Sequence, residues 1–71
     1  MNEHAWYEVW VDDTARPPYV LILLSDKSGS SFDIYDPGEK SICHTTSSYQ
    51  DAMFWLTEDE YTKVDGRMDL A

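Results

Sequence analysis

The sequence predicts an α+β fold: a three- to four-stranded antiparallel β-meander, followed by one or two short C-terminal helices packed on one sheet face. Three observations support this prediction. Up to residue 45, aromatic and β-branched runs alternate with turn-forming clusters, as strands and hairpins do. From Tyr49 onward, apolar residues recur at helical spacing. The connections between the strand-like runs are short, which makes neighbouring strands antiparallel.

Four segments have the composition of strands. Residues 6–11 are aromatic and β-branched, and they run into a turn-forming Asp-Asp-Thr cluster. Residues 19–24 form a continuous apolar run that is too short for a buried helix, so we expect a central strand there. Residues 32–35 alternate and end at a Pro-Gly turn. Residues 42–45 are the candidate for a fourth, shorter strand.

The helical part begins after a pair of serines. Ser47 and Ser48 each precede a Gln or Asp by three residues, so either serine can be the N-cap of a capping box. A helix is therefore predicted to start near Tyr49. The apolar stripe that it turns toward the sheet consists of Tyr49, Ala52, Met53 and Leu56.

The end of the helical part has two interpretations. Thr57 and Glu60 repeat the capping-box spacing, which favours two short helices over residues 49–56 and 58–64. One continuous helix is the alternative. The break is preferred because it lets Tyr61 and Val64 turn back onto the sheet.

Length and composition indicate one small domain over residues 1–71, with an ordered core from about residue 5 to residue 65. The apolar fraction of 42% is that of a packed chain and not of a disordered one. Cys43 is the only cysteine, which excludes a disulfide within the chain. A free thiol agrees with a reducing compartment, so we expect a cytoplasmic protein.

The charge pattern argues against two classes of partner. Fourteen acidic residues against five basic ones give a net charge of −9, and the basic residues are scattered singly. Nucleic acid binding needs clustered Lys and Arg, so we expect none. The longest apolar run, residues 19–24, is far shorter than the ~18 to 20 residues that span a bilayer, so we expect no membrane partner.

Reactive side chains form no recognisable catalytic or metal-binding pattern. Cys43 and His44 are adjacent, so in a strand they point to opposite faces and cannot act together. His4 stands far from both in the sequence. We therefore expect no enzyme activity, no catalytic residues, no metal and no cofactor.

The aromatic residues indicate an interaction surface. Val9 and Val11 share one face of the first strand, which we expect the helical part to cover, while Trp6 and Trp10 flank Glu8 on the other. A charged residue between two tryptophans suggests a face with access to water. One helical layer covers only one sheet face, so the other is left for a homodimer contact. Its predicted residues are Trp6, Glu8, Trp10, Leu21, Leu23 and Tyr35.

Three alternatives stay open. The C-terminal residues Met68 and Leu70 would fold back over the aromatic face. Alternatively, the protein is an acidic inhibitor or immunity-type protein that binds a basic partner. The carboxylates that would face this partner are Asp51, Asp59, Glu60 and Asp65. The third alternative is a small-molecule-binding domain.

Overall fold

The computed structural model describes residues 4–70, which form one antiparallel sheet and one helix. The first four strands are β1 (His4–Asp12), β2 (Tyr19–Asp26), β3 (Phe32–Asp36) and β4 (Ser41–Thr46). They are followed by the helix α1 (Tyr49–Glu58) and by two short strands, β5 (Thr62–Lys63) and β6 (Met68–Asp69). The sheet order is β4-β3-β2-β1-β5, and β6 also pairs with β1. The predicted meander is confirmed, and the chain returns to its first strand at the end.

The register of the strands fixes which side chains share a face. Trp10 lies opposite Leu21, and Glu8 lies opposite Leu23, which in turn pairs with Ile34 of β3. Side chains of paired residues point to the same side of a sheet. The helix-covered face is therefore made by Trp6, Glu8, Trp10, Leu21, Leu23, Phe32 and Ile34.

The hydrophobic core lies between the helix-covered face and α1. Leu23 and Ile34 are fully buried at the centre of the sheet, and Ala52 and Leu56 are fully buried on the helix. These residues include half of the predicted apolar stripe. Burial of this one side of the helix holds α1 on the sheet, as it does for amphipathic helices in general.

The start of α1 agrees with the sequence prediction. Ser48 has extended backbone angles, and its hydroxyl oxygen accepts a hydrogen bond from the backbone N–H of Asp51 at 3.0 Å. Ser48 is therefore the N-cap, since a side-chain oxygen satisfies one of the N–H groups that have no partner in the first turn. Ser47 is exposed and stands outside the helix.

The predicted second helix is wrong. The hydroxyl of Thr57 donates to the carbonyl of Met53 at 2.9 Å, so Thr57 lies in the last turn of α1 and is not the cap of another helix. Glu60 has a φ of 66°, a left-handed conformation that reverses the chain. Residues after this turn form β5 and β6 along the outer edge of β1. The ten-residue α1, the helix formed by the described part of the chain, is too short to cross a bilayer.

Candidate functional site

The interaction surface predicted from the sequence lies mostly beneath the helix. Trp10 and Leu21 are each 3% exposed, and Leu23 is fully buried. Trp6 and Glu8 belong to the same face. The prediction that α1 covers the valine face and leaves the tryptophan face open is therefore wrong. Of the predicted surface residues, Tyr35 lies on the opposite face, where it is half-buried.

The reversal of the faces has its physical cause at Glu8. Glu8 is 1% exposed, yet its carboxylate receives donors from β1, from α1 and from the connection between β5 and β6. The hydroxyl of Tyr49 is 2.9 Å from both of its oxygens, and Trp10 Nε1 donates to Oε1 at 3.2 Å. A buried charge is tolerated only when it is hydrogen-bonded and paired. Glu8 therefore does not need the water access that the sequence suggested.

Arg67 supplies the positive charge that Glu8 lacks locally. Its Nη2 and Nε atoms donate to Glu8 Oε2 at 2.8 and 3.1 Å. Its guanidinium carbon lies 3.7 Å from the centroid of the Trp6 ring and 5.5 Å from that of Tyr49. These distances are those of cation–π contacts. We call Trp6, Glu8, Trp10, Tyr49 and Arg67 the Glu8 cluster.

The contacts within the Glu8 cluster raise the pKa values of Arg67 and Tyr49. The hydrogen bond to Glu8 raises the pKa of Arg67 above its ordinary value. Burial raises the pKa of Tyr49, and the hydrogen bond to Glu8 raises it further. Both shifts keep Arg67 charged and Tyr49 neutral, which is the combination of donors that a buried carboxylate requires.

The C-terminal segment returns to the sheet, but not in the predicted way. β6 pairs with β1 so that Met68 lies opposite Tyr7, on the side away from α1. Met68 and Leu70 remain 56% and 39% exposed. The prediction that these two residues cover the aromatic face is therefore wrong, because it is Arg67 that lies over Trp6.

The face of the sheet that points away from α1 is almost entirely apolar, and we call it the open face. Its apolar strand residues are Tyr7, Val9, Val11, Val20, Ile22, Leu24, Tyr35, Ile42 and Met68. Asp33, Thr45 and Thr62 are polar strand residues of the same face. Leu24 is buried among its neighbours, whereas Ile42 is 52% exposed. Two concavities open onto this face, of about 230 Å³ beside Tyr7 and Val9 and about 590 Å³ beside Leu24 and Ile42.

The open face carries little uncompensated charge. Asp33 lies on it, and its Oδ2 is 3.1 Å from Nε2 of His4. Its other carboxylate oxygen accepts a hydrogen bond from the hydroxyl of Thr45 at 2.9 Å. Lys40 lines the larger concavity. This face thus differs from the rest of a strongly acidic chain.

The acidic residues proposed for a basic partner are all exposed, but they stand at separate places. Asp51 lies in the first turn of α1 and Asp59 caps its end. Eight residues of helix separate these two by about 12 Å. Glu60 follows Asp59 in the turn, and Asp65 lies in the connection between β5 and β6. The structure therefore groups Asp59 with Glu60 and keeps Asp51 and Asp65 apart from them in the chain.

His44 and Cys43, which are adjacent in β4, have different surroundings. His44 stacks on Trp55, with ring centroids 4.7 Å apart. Cys43 is exposed as a residue. Partial burial of its thiol raises the pKa of that group, and the charge of Asp36 raises it further. Little thiolate therefore forms at neutral pH. Within residues 4–70, no three His, Cys, Asp or Glu side chains are grouped so that they could hold a metal ion.

A second hydrogen-bonded pair of side chains joins the start of β2 to the end of β3. The hydroxyl of Tyr19 donates to Oδ2 of Asp36 at 2.7 Å, and the backbone N–H groups of Gly38 and Glu39 donate to Oδ1. The bond to Asp36 raises the pKa of Tyr19 to about 12. The same bond holds the pKa of Asp36 below its ordinary value. A Cβ on Gly38 would lie 3.3 Å from Asp36 Oδ1, so the turn fits glycine.

Sequence reasoning missed two features of the site for different reasons. Arg67 is 59 residues from Glu8, so no local pattern indicates their pairing. The open face did have a signal, the alternation of Tyr7, Val9 and Val11, but that alternation was assigned to the helix-covered side. Comparisons with protein-family models, with curated proteins and with solved structures found no match for this chain.

Proposed function

We propose that the protein is a non-enzymatic interaction module that self-associates through the open face of its sheet. The observation that supports the proposal is the apolar composition of this face combined with the position of α1 on the other side. Sheets normally bury each apolar face against a second layer. The second layer proposed for the open face is the same face of another copy.

The distribution of charge favours a second copy over a basic protein as the partner. A basic partner calls for carboxylates at the contact, but Asp33 on the open face is already held by His4 and Thr45. Asp65 is exposed and lines the smaller concavity, in the connection between β5 and β6. Two copies can therefore meet over Asp33 without opposing unmatched carboxylates there, although each chain carries a net charge of −9. Contacts of this apolar kind depend little on salt.

Sedimentation equilibrium tests the proposal with three matched variants. Ile42→Lys and Met68→Lys each place a charge among exposed apolar residues of the open face. Phe54→Lys makes the same change on α1, where Phe54 is 66% exposed and lies on the other side of the sheet. All three variants alter the net charge equally, so general repulsion between copies changes by the same amount.

The wild-type chain is expected to self-associate at micromolar concentration, with a dissociation constant that changes little with salt. Ile42→Lys and Met68→Lys are each expected to weaken association about tenfold or more, since a charge is then buried at the contact. Phe54→Lys is expected to associate like the wild type. A wild-type monomer at high micromolar concentration, or equal weakening by all three variants, contradicts the proposal.

A further inference from the structure

The Glu8 cluster has the geometry of a binding site for a guanidinium group. Glu8 supplies a buried carboxylate that accepts two hydrogen bonds from Arg67, and the Trp6 ring lies 3.7 Å below the guanidinium carbon. A carboxylate combined with a flat aromatic surface suits the planar guanidinium better than the compact ammonium of lysine. The arrangement is therefore selective for arginine.

We propose that Trp6, Glu8 and Tyr49 form an arginine-binding site, which Arg67 occupies from within the chain and from which an arginine of a partner protein displaces it. This proposal is independent of self-association through the open face. The two sites differ in position, because the Glu8 cluster belongs to the helix-covered face. They also differ in chemistry, since one is apolar and the other anionic.

The receptor and its occupant belong to parts of the molecule with unequal anchoring. Glu8 lies on β1, the strand most extensively paired, and Tyr49 lies at the start of α1. Arg67 lies between two strands of two residues each, and its side chain is 44% exposed. Apart from the ion pair with Glu8, which an arriving arginine forms again, this segment has few contacts to break, and such segments open locally. The C-terminal segment can therefore leave while the receptor keeps its shape.

The route of release is visible at Gly66. This residue has a φ of 101°, a conformation that glycine adopts without strain, and it directly precedes Arg67. Besides the strand pairs of β5 and β6, a backbone hydrogen bond of 2.8 Å holds the segment on either side, from Val64 to Val9 and from Leu70 to Ala5. Breaking the second of these together with the β6 pairs releases Arg67 without disturbing β5.

Charge favours arrival of a cationic segment. The chain carries a net charge of −9, which attracts arginine-containing peptides over a distance and speeds their encounter. Displacement also preserves the pairing of the buried carboxylate, since Glu8 exchanges one guanidinium for another. Glu8 is therefore never left as an unpaired buried charge in either end state.

The test uses the chain of residues 1–71 and two capped amino acids, Nα-acetyl-arginine-N-methylamide and its lysine counterpart. Arg67→Ala removes the internal occupant. Glu8→Gln combined with Arg67→Ala removes the carboxylate charge as well and serves as the matched control. Binding is followed by the fluorescence of the tryptophans and by NMR shifts of the Trp6 indole.

Arg67→Ala is expected to bind the arginine compound at least tenfold more tightly than the wild type, because the internal competitor lowers the apparent affinity of the wild type. The lysine compound is expected to bind at least tenfold more weakly, and the double variant is expected to bind neither. If Arg67→Ala unfolds, the arginine compound is expected to restore its circular dichroism, and the lysine compound is not.

A further arm distinguishes the source of the arginine. The Ile42→Lys chain is mixed with a chain that carries both Ile42→Lys and Arg67→Ala, so that open-face contacts are weakened in both chains. Association in this mixture assigns the arginine to a second copy, and its absence together with binding of the arginine compound assigns it to another protein. Equal binding of the two compounds, or arginine binding that survives Glu8→Gln, overturns the proposal.

Discussion

Arg67 donates two hydrogen bonds to one carboxylate oxygen of Glu8, across 59 residues of chain. The partner oxygen, Oε1, accepts from Trp10 and Tyr49. The carboxylate is thus satisfied on all sides inside the protein, although it stands on a strand between two tryptophans. This pairing joins the first strand, the helix and the C-terminal segment.

Arg67→Ala should therefore destabilise the fold strongly. Loss of one partner of a buried ion pair costs about 3 kcal/mol, the lower end of the usual range, because Arg67 is itself partly exposed. Glu8→Gln combined with Arg67→Ala should be more stable than Arg67→Ala alone, since no unpaired charge remains. Urea titrations of the three chains measure both differences. Additive losses in the double variant would contradict the role given to the buried charge.

Trp10→Ala should unfold the domain or cost about 3 to 5 kcal/mol of folding free energy, because Trp10 is a buried core residue and not a contact-surface residue. Circular dichroism during urea unfolding measures the loss. Phe54→Ala is the control, and it should change stability by less than about 0.5 kcal/mol, as exposed substitutions do. A folded Trp10→Ala chain with wild-type stability would return Trp10 to the surface.

Ser48→Ala should cost about 1 kcal/mol, since it removes the hydroxyl that accepts the N–H of Asp51. Ser47→Ala should leave the urea midpoint unchanged, because Ser47 stands outside the helix. Both variants remove one serine hydroxyl, and they do so at adjacent positions, so each variant is a control for the other. Equal losses would mean that both serines share the cap.

The Tyr19–Asp36 bond should make stability depend on pH at both extremes. Asp36 has a lowered pKa in the folded chain, so its contribution is present above its unfolded value and is lost as pH falls through the folded value. Tyr19 has a pKa raised to about 12, so its contribution is present below its unfolded value and is lost as pH rises through the folded value.

The stability difference between the wild type and Tyr19→Phe should accordingly be largest between about pH 4 and pH 10, the ordinary pKa values of the two groups. It should shrink outside that window on either side. Urea titrations over pH measure it, and the difference in phenolate absorbance between the wild type and Tyr19→Phe separates Tyr19 from the other four tyrosines. A difference that is constant from acid to alkali would contradict the assignment of the bond.

Local chemistry was enough to predict the elements at the start of the chain. Alternation and turn residues predict a meander of three to four strands, and the serine pair predicts the start of α1, because these features depend on neighbours in the sequence. Beyond Thr57 the same reasoning failed. The capping-box spacing of Thr57 and Glu60 is real, but the chain turns at Glu60 and pairs with a strand more than 45 residues earlier.

The choice between the two faces of the sheet was not accessible to local reasoning. Alternation places Trp10 and Val9 on opposite sides but does not say which side meets the helix. The decision depends on whether Glu8 can be buried, and its cation is Arg67, at the other end of the chain. Without Arg67, Glu8 is expected on a face with access to water. That expectation leaves the tryptophan face open and places the helix on the valine face.

The pairing of β5 and β6 with β1 also sets the order in which the protein can be completed during synthesis. β1 is synthesised before the other strands, but its outer edge is unpaired until residues 62–69 follow. A chain synthesised only as far as α1 therefore lacks Arg67, the cation of Glu8. Contacts of such long sequence separation slow folding. Final closure of this sheet therefore has to await residues 62–69, whatever the state of the strands made before them.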